Sequence, residues 1–296
     1  MELQLKNIGM IKEANVKIDG LTVIAGENDT GKSTVARELH YEATSYGSMG
    51  RFPLKLGNRA KLKIDDNELK PNGVVLIDTP NSLDTFSFIK NATLLIHQQR
   101  LNIHLSLFRV DLILQLSQDI LENSEDNSIY KSIEKIINGK VFYDKNKDEI
   151  LYEKYSLKNK IFKMEQTSNG IKMFGFLQIL LLNGTIKEGS ILILDEPEVH
   201  LHPKWQLKYA ELIVKLVQNG VKIVVNSHSP YMIEALQRYS EKEKINSNFY
   251  LAENGYIAKT NESNSETLEK IFEKLSEPFD IFEEMDSDSL ENLING

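Results

Sequence analysis

The order of apolar and polar residues along the chain predicts strands that alternate with helices. Apolar and polar residues alternate around Leu3–Leu5 and Val16–Ile18, with a turn at Asp19-Gly20, as in half-buried strands. Short continuous apolar runs, typical of strands buried on both faces, lie at 21–25, 74–77, 191–194 and 221–225. Helical spacing follows at 33–44, 174–182, 203–218 and 230–239. This alternation predicts an α/β fold with a mostly parallel sheet.

The middle of the chain has a different pattern. Amphipathic helices are predicted over 107–120 and 128–137, and alternating charged residues over 141–163 predict small strands. We interpret about 85–165 as a helical insertion lobe within one domain that covers residues 1–260.

Composition limits the class of protein. Apolar residues make up 41% of the chain, enough for a packed core, and the absence of cysteine excludes disulfides, cysteine zinc sites and a thiol nucleophile. The N-terminus lacks the pattern of a secretory signal, and the longest apolar stretch is too short to span a bilayer. We therefore expect a cytoplasmic protein that does not interact with membranes.

The net charge of −8 is unevenly distributed. Residues 261–296 carry 11 acids and two bases, a net of −9, which leaves residues 1–260 at +1. The acidity belongs to a C-terminal tail, so the total charge says little about nucleic-acid binding. Helical spacing of Ile271, Leu275 and Phe279 leaves two alternatives open, a tail that docks on the body or a partner and a solvated terminus.

A glycine-rich loop between the apolar run 21–25 and the following helix fits the pattern G-x-x-x-x-G-K-[ST]. Its backbone N–H groups and the helix N-terminus are suited to phosphate, Lys32 to the β- and γ-phosphates, and the Ser33 hydroxyl to Mg²⁺. The loop predicts binding of a nucleoside triphosphate. The predicted binding residues are Gly26, Glu27, Asn28, Asp29, Thr30, Gly31, Lys32, Ser33 and Thr34.

Hydrolysis also requires a carboxylate for the metal and a base for the attacking water. Asp195 and Glu196 follow an apolar strand directly, which suits Asp195 to the metal and Glu196 to the general base. Asp78 also ends a strand, but no second acid follows it, so we expect it to have no catalytic part. His228, just after the next strand, is suited to sensing the γ-phosphate.

The spacing of these motifs indicates the class. About 160 residues separate the phosphate loop from Asp195, too many for most kinases, small GTPases or AAA+ rings. A second anion site is predicted where Ser168 and Gly170 begin a helix. Two subunits that face each other head to tail would use both sites, each closing the nucleotide site of the other.

The segments GENDTGKST, TSNGIK, LILDEPEVHLHP and VVNSHSP, in this order, resemble the ATP-binding-cassette (ABC) ATPases. The extended DEPEVHLHP box resembles the RecF/SMC-like branch, which includes OLD-family and stand-alone AAA_15/AAA_21 bacterial ATPases. The resemblance covers residues 1–40 and 165–240. It implies a homodimer around two ATP molecules with Mg²⁺, in which Ser168, Gly170 and Lys172 complete the partner's γ-phosphate pocket. It also implies a Mg²⁺-sensing glutamine, for which Gln98 is the candidate and Gln99 the alternative.

Two departures from the family pattern limit what is carried over. The TSNGIK segment differs from the LSGGQ signature of transporters, which lowers the expectation of a transporter motor. Only about 60 residues follow VVNSHSP, too few for the nuclease domain of OLD proteins, so we do not expect nuclease activity.

The resulting expectation is an ATPase whose nucleotide-driven dimerisation regulates a separate effector protein in bacterial antiphage defence. The alternative is a RecF-like DNA-repair ATPase that contacts nucleic acid through the basic segment 51–63, although the same segment also fits the solvated face of a hairpin. A transporter motor comes third.

Overall fold

The computed structural model describes residues 1–47, 60–63, 71–97, 106–122, 124–199, 201–258 and 263–277. In chain order, the strands are β1 (Glu2–Ile8), β2 (Ile11–Lys17), β3 (Leu21–Ala25), β4 (Ala60–Lys63), β5 (Val74–Ile77), β6 (Gly139–Asp144), β7 (Glu149–Lys154), β8 (Lys160–Lys163), β9 (Ile191–Asp195), β10 (Lys222–Ser227), β11 (Ser247–Glu253) and β12 (Tyr256–Ala258). The helices are α1 (Lys32–Gly47), α2 (Phe86–His97), α3 (Leu107–Leu116), α4 (Ser128–Ile137), α5 (Asn169–Leu182), α6 (Pro203–Gln218), α7 (Pro230–Lys242) and α8 (264–277).

The described strands form one large sheet and one small sheet. The large sheet has nine strands in the order β4-β1-β2-β12-β11-β3-β10-β9-β5. Neighbouring strands from β11 to β5 are parallel, as are β2 and β12, whereas β4-β1-β2 and β11-β12 pair antiparallel. The prediction of a mostly parallel α/β sheet is therefore confirmed.

Alternate residues of the central strands face two apolar layers. On one face, Val23 and Leu192 join a large core with α5, α6 and α7, and on the other, Ile24 and Ile193 join a core with α1. All five residues of β3 and of β9 are buried. Side chains on such strands can carry out polar chemistry only where the strands end, and parallel strands bring their carboxyl ends to one edge of the sheet.

Several element boundaries differ from those predicted. Helix α5 begins at Asn169, where the predicted anion site put a helix start and five residues before the apolar stretch 174–182, and the Ser168 side chain caps it by accepting a hydrogen bond from the Ile171 N–H. Helix α3 ends at Leu116, four residues early, where the Ser117 hydroxyl donates to the Ile113 carbonyl at 2.7 Å. Strands β11 and β12 were not predicted, because their mixed polar and apolar residues lack a clear period.

Residues 86–163 contain helices α2 to α4 and the antiparallel sheet β6-β7-β8. Helix α8 comes from the first part of the acidic segment, and it packs on the main core through Leu268 and Ile271, which are 4% and 0% exposed. Docking of this part on the body is thus the alternative that the structure supports. The domain boundary at 260 stays a prediction. Across the described ranges, no helix combines the length and apolar character needed to cross a bilayer.

Candidate nucleotide site at the carboxyl edge of the sheet

The predicted phosphate loop lies between β3 and α1. Gly31 has a φ of +95°, and a Cβ there would approach Ile11 Cγ1 to 2.8 Å, so this position requires glycine. Helix α1 begins at the next residue. The first N–H groups of a helix have no acceptor within the helix, so the loop directs donors towards the space above the sheet.

Lys32 is 3% exposed, and its ammonium lies within the curve of the loop. Its Nζ donates to the Gly26 carbonyl at 2.9 Å and to the Glu27 carbonyl at 2.6 Å, and it lies 3.8 Å from Glu196 Oε1. Burial lowers the pKa of Lys32, while the carboxylates of Glu196 and Asp195 oppose this shift. A buried cation placed among the backbone carbonyls of a glycine-rich loop is suited to an anionic ligand.

Asp195, the last residue of β9, is 8% exposed, and burial raises its pKa. Hydrogen bonds from Asn226 and Ser33 oppose that shift. The Asn226 amide donates to Asp195 Oδ1 at 2.8 Å and to the Lys32 carbonyl at 2.7 Å. Asn226 thus joins the phosphate loop to the carboxylate strand, a role that the sequence analysis did not assign.

Glu196 and His228 form a pair beside Lys32. The Glu196 backbone has a φ of +53°, and its N–H donates to the Asn226 carbonyl at 2.9 Å, which turns the side chain at the end of β9. Its Oε1 lies 3.4 Å from His228 Nδ1. This close contact lowers the pKa of Glu196 and raises the pKa of His228, so the pair favours a carboxylate and an imidazolium.

A further buried carboxylate, Glu198, lies under this pair and has no role in the sequence analysis. Its Oε1 accepts hydrogen bonds from Ser227 Oγ at 2.7 Å and from the His228 and Ser229 N–H groups at 2.9 and 3.3 Å. Burial raises its pKa, which these hydrogen bonds oppose. An acid in the box after Asp195 was visible in the sequence, but its donors come from a strand end about 30 residues further on.

The predicted second anion site lies at the N-terminus of α5. Ser168 caps this helix, and a Cβ at Gly170 would lie 2.7 Å from the Trp205 ring. Lys172 is 4% exposed, and its Nζ is 2.7 Å from the Asp84 carboxylate of the same chain. The structure thus gives Lys172 a partner within the chain, and the role of all three signature residues at a second subunit stays a prediction.

Other predicted residues lie apart from this cluster or outside the described ranges. Gln98 and Gln99 lie outside them, as does most of the basic segment, of which only residues 60–63 are described. Asp78, expected to have no catalytic part, accepts hydrogen bonds from the Arg109 guanidinium at 2.7 and 3.2 Å.

The chemistry of the site fits a nucleotide with a divalent cation. The Ser33 hydroxyl and the Asp195 carboxylate supply oxygen ligands, which Mg²⁺ prefers, and they already contact each other. A cation there would offset the cost of burying Asp195. These two residues would hold the metal, while Lys32 and the start of α1 would hold phosphate oxygens.

The fold is the P-loop NTPase fold of ABC ATPase heads. Two solved structures have the same fold, a SmcHead solved with the C-winged helix domain of ScpA and an ATP-binding cassette of an ABC transporter. The SmcHead is 13% identical with a TM-score of 0.53, and the match covers 90% of this chain and 98% of the SmcHead chain. The second is 17% identical with a TM-score of 0.50, and it covers 94% and 96%.

The chain belongs to the AAA_21 family, described as "AAA domain, putative AbiEii toxin, Type IV TA system", whose model matches residues 39–234. The match begins after the phosphate loop and includes Asp195, Glu196 and His228. Among curated proteins, the chain is similar to Septu protein PtuA of Bacillus thuringiensis, at 23% identity over 79% of this chain and 72% of that protein. It is also similar to Septu protein PtuA of Bacillus mycoides, at 26% identity over 39% of this chain and 17% of that protein.

Proposed function

We propose that the chain binds ATP with Mg²⁺ and hydrolyses it to ADP and phosphate in a head-to-tail homodimer. The observation that supports this most is the convergence of Lys32, Asp195, Glu196 and His228 at the ends of β3, β9 and β10. A phosphate-binding cation, a metal-binding carboxylate, a base and a polar sensor are the groups that this chemistry requires.

Each residue has a distinct part in the proposed reaction. The loop N–H groups and Lys32 hold the β- and γ-phosphates. Mg²⁺, when bound, would neutralise part of the phosphate charge. Glu196 orients a water for in-line attack on the γ-phosphorus and accepts its proton as the bond to ADP breaks. His228, which is held against Glu196, donates a hydrogen bond to the charge that develops on the γ-phosphate.

In the proposed dimer, the N-terminus of α5 faces the γ-phosphate of the second subunit through Ser168, Gly170 and Lys172. The support is that one chain carries two helix N-termini suited to anions, and one nucleotide in one subunit does not require both. Lys172 would have to exchange Asp84 for phosphate in that assembly.

Phosphate release by purified protein tests the hydrolysis proposal. Lys32→Ala should fail to bind ATP, whereas Glu196→Gln should bind it and turn over at least about 100-fold more slowly, because only the base is lost. Glu234→Gln on α7, whose carboxylate pairs with Arg238 at the surface, is the matched control and should match wild type. Wild-type turnover in Glu196→Gln would contradict the role of Glu196.

We further propose that nucleotide-driven dimerisation regulates a separate effector protein in the cytoplasm, in bacterial antiphage defence. The family description and the similarity to Septu protein PtuA support this. Capture by the ATP-bound Glu196→Gln protein, compared with Lys32→Ala, should enrich one protein in the ATP-bound state alone. Equal capture by both variants would contradict nucleotide control.

The RecF-like alternative remains because Lys61 and Lys63 are exposed on β4, at the edge of the large sheet. Duplex binding that weakens with salt and is lost on neutralising residues 51–63 would favour it. Absence of salt-dependent binding with and without ATP would rule it out.

A further inference from the structure

Glu198 anchors the segment that carries His228. The Glu198 side chain is 2% exposed, and its Oε1 accepts three hydrogen bonds, one each from Ser227 Oγ, the His228 N–H and the Ser229 N–H. The three donors are consecutive in the chain. One oxygen of Glu198 therefore holds three consecutive residues at the end of β10 and directly after it.

This anchor determines where the imidazole lies. With its backbone N–H held by Glu198, His228 places Nδ1 3.4 Å from Glu196 Oε1 and 3.7 Å from Glu198 Oε1. His228 is partly exposed, so packing alone does not hold it. Without Glu198, the His228 N–H loses its acceptor, the Ser229 N–H keeps only Ser227 Oγ at 3.1 Å, and the segment can move relative to Glu196.

Gln206 on α6 fixes the same segment at its far end. Its amide nitrogen donates to the Leu201 carbonyl at 3.0 Å, and its Oε1 accepts from Ser229 Oγ at 2.8 Å. The loop after β9 and the segment after β10 are therefore joined twice, through Glu198 and through Gln206. The joined loops carry both Glu196 and His228.

We propose that Glu198 is a positioning residue that holds segment 227–229 so that His228 stays against Glu196, and that it affects hydrolysis only through His228. This inference rests on the proposed ATPase function. It assigns Glu198 no contact with ATP or metal, in contrast to Glu196 and Asp195.

Two substitutions of Glu198 distinguish the need for its acceptor oxygen from the need for its negative charge. Glu198→Gln retains an oxygen for the three donors, and its kcat should stay within about threefold of wild type. Glu198→Ala removes the oxygen, and kcat should fall by about 10- to 100-fold, the effect expected of a displacement of about 1 Å at a catalytic group. The KM for ATP should change less than about twofold in both, because the phosphate loop is untouched.

A double-mutant cycle with His228→Ala tests whether Glu198 acts through His228. Glu198→Ala/His228→Ala should turn over like His228→Ala alone, whereas losses that multiply would overturn the inference. Glu211→Ala, on the outer side of α6 where Glu211 pairs with Lys215, is the matched control and should retain wild-type kcat. Thermal unfolding of each variant identifies any loss of folded protein.

The position of His228 can also be measured without turnover. Its ring ¹⁵N resonances, assigned through the His228→Ala spectrum, should shift in Glu198→Ala and remain in place in Glu211→Ala. Unchanged resonances in Glu198→Ala would overturn the inference. Absence of wild-type ATP hydrolysis would overturn the proposed function alone, and the resonances would then decide the role of Glu198.

Discussion

The ion pair of Lys172 with Asp84 makes a prediction about stability that can be worked from the structure. The Lys172 side chain is 5% exposed and that of Asp84 is 28% exposed, with 2.7 Å between nitrogen and oxygen. Removing one partner of a fully buried pair costs about 3–5 kcal/mol. Because water reaches Asp84, we expect Asp84→Ala to lower the free energy of unfolding by about 2–3 kcal/mol, since it leaves a buried ammonium unpaired.

Lys172→Met should cost less, about 1 kcal/mol, because it removes the buried charge, fills similar space and leaves a partly hydrated carboxylate. The double variant should be no less stable than Asp84→Ala alone, since no unpaired ammonium remains. Urea unfolding of the three variants gives these differences. The reasoning would be refuted if Asp84→Ala cost less than about 0.5 kcal/mol, a value typical of surface ion pairs.

Three further predictions concern other parts of the chain. Burial lowers the pKa of His40 to about 4, so the folded protein resists protonation of this side chain and should lose about 3 kcal/mol of unfolding free energy as the pH falls from 6.5 to 4. His40→Leu should lose this pH dependence in urea titrations. Gly170→Ala should cost about 1–3 kcal/mol in thermal unfolding because its Cβ meets Trp205 at 2.7 Å, whereas Gly73→Ala, whose nearest atom is 3.6 Å away, should not. Ile271→Ala should lower the unfolding free energy in urea by about 2–5 kcal/mol because this α8 residue is fully buried, and an unchanged value would contradict docking of α8.

The sequence allowed prediction of the elements whose local signals agree with their surroundings. The apolar runs of β3, β5 and β9 are buried on both faces, and α6 has the predicted bounds because Pro203 begins it and Gly220 follows its end. Strand β11 was missed because it pairs in parallel with β3, whose residues lie more than 200 positions away in the chain.

The site divides in the same way. The loop around Lys32 and the pair Asp195-Glu196 have local signatures, since each follows a buried strand directly. The hydrogen bonds made by the Asn226 and Glu198 side chains have no local signature in the sequence, because each joins segments about 30 or more residues apart. The partner of Lys172 could not be predicted either, since Asp84 lies 88 residues away in the chain.

The mass of the Glu196→Gln protein in solution, measured by light scattering with ATP and Mg²⁺, tests the central claim most directly. We predict a dimer with ATP, a monomer without nucleotide, and a monomer for Glu196→Gln/Lys32→Ala under both conditions. A Glu196→Gln protein that binds ATP but remains monomeric would contradict a nucleotide-driven dimer.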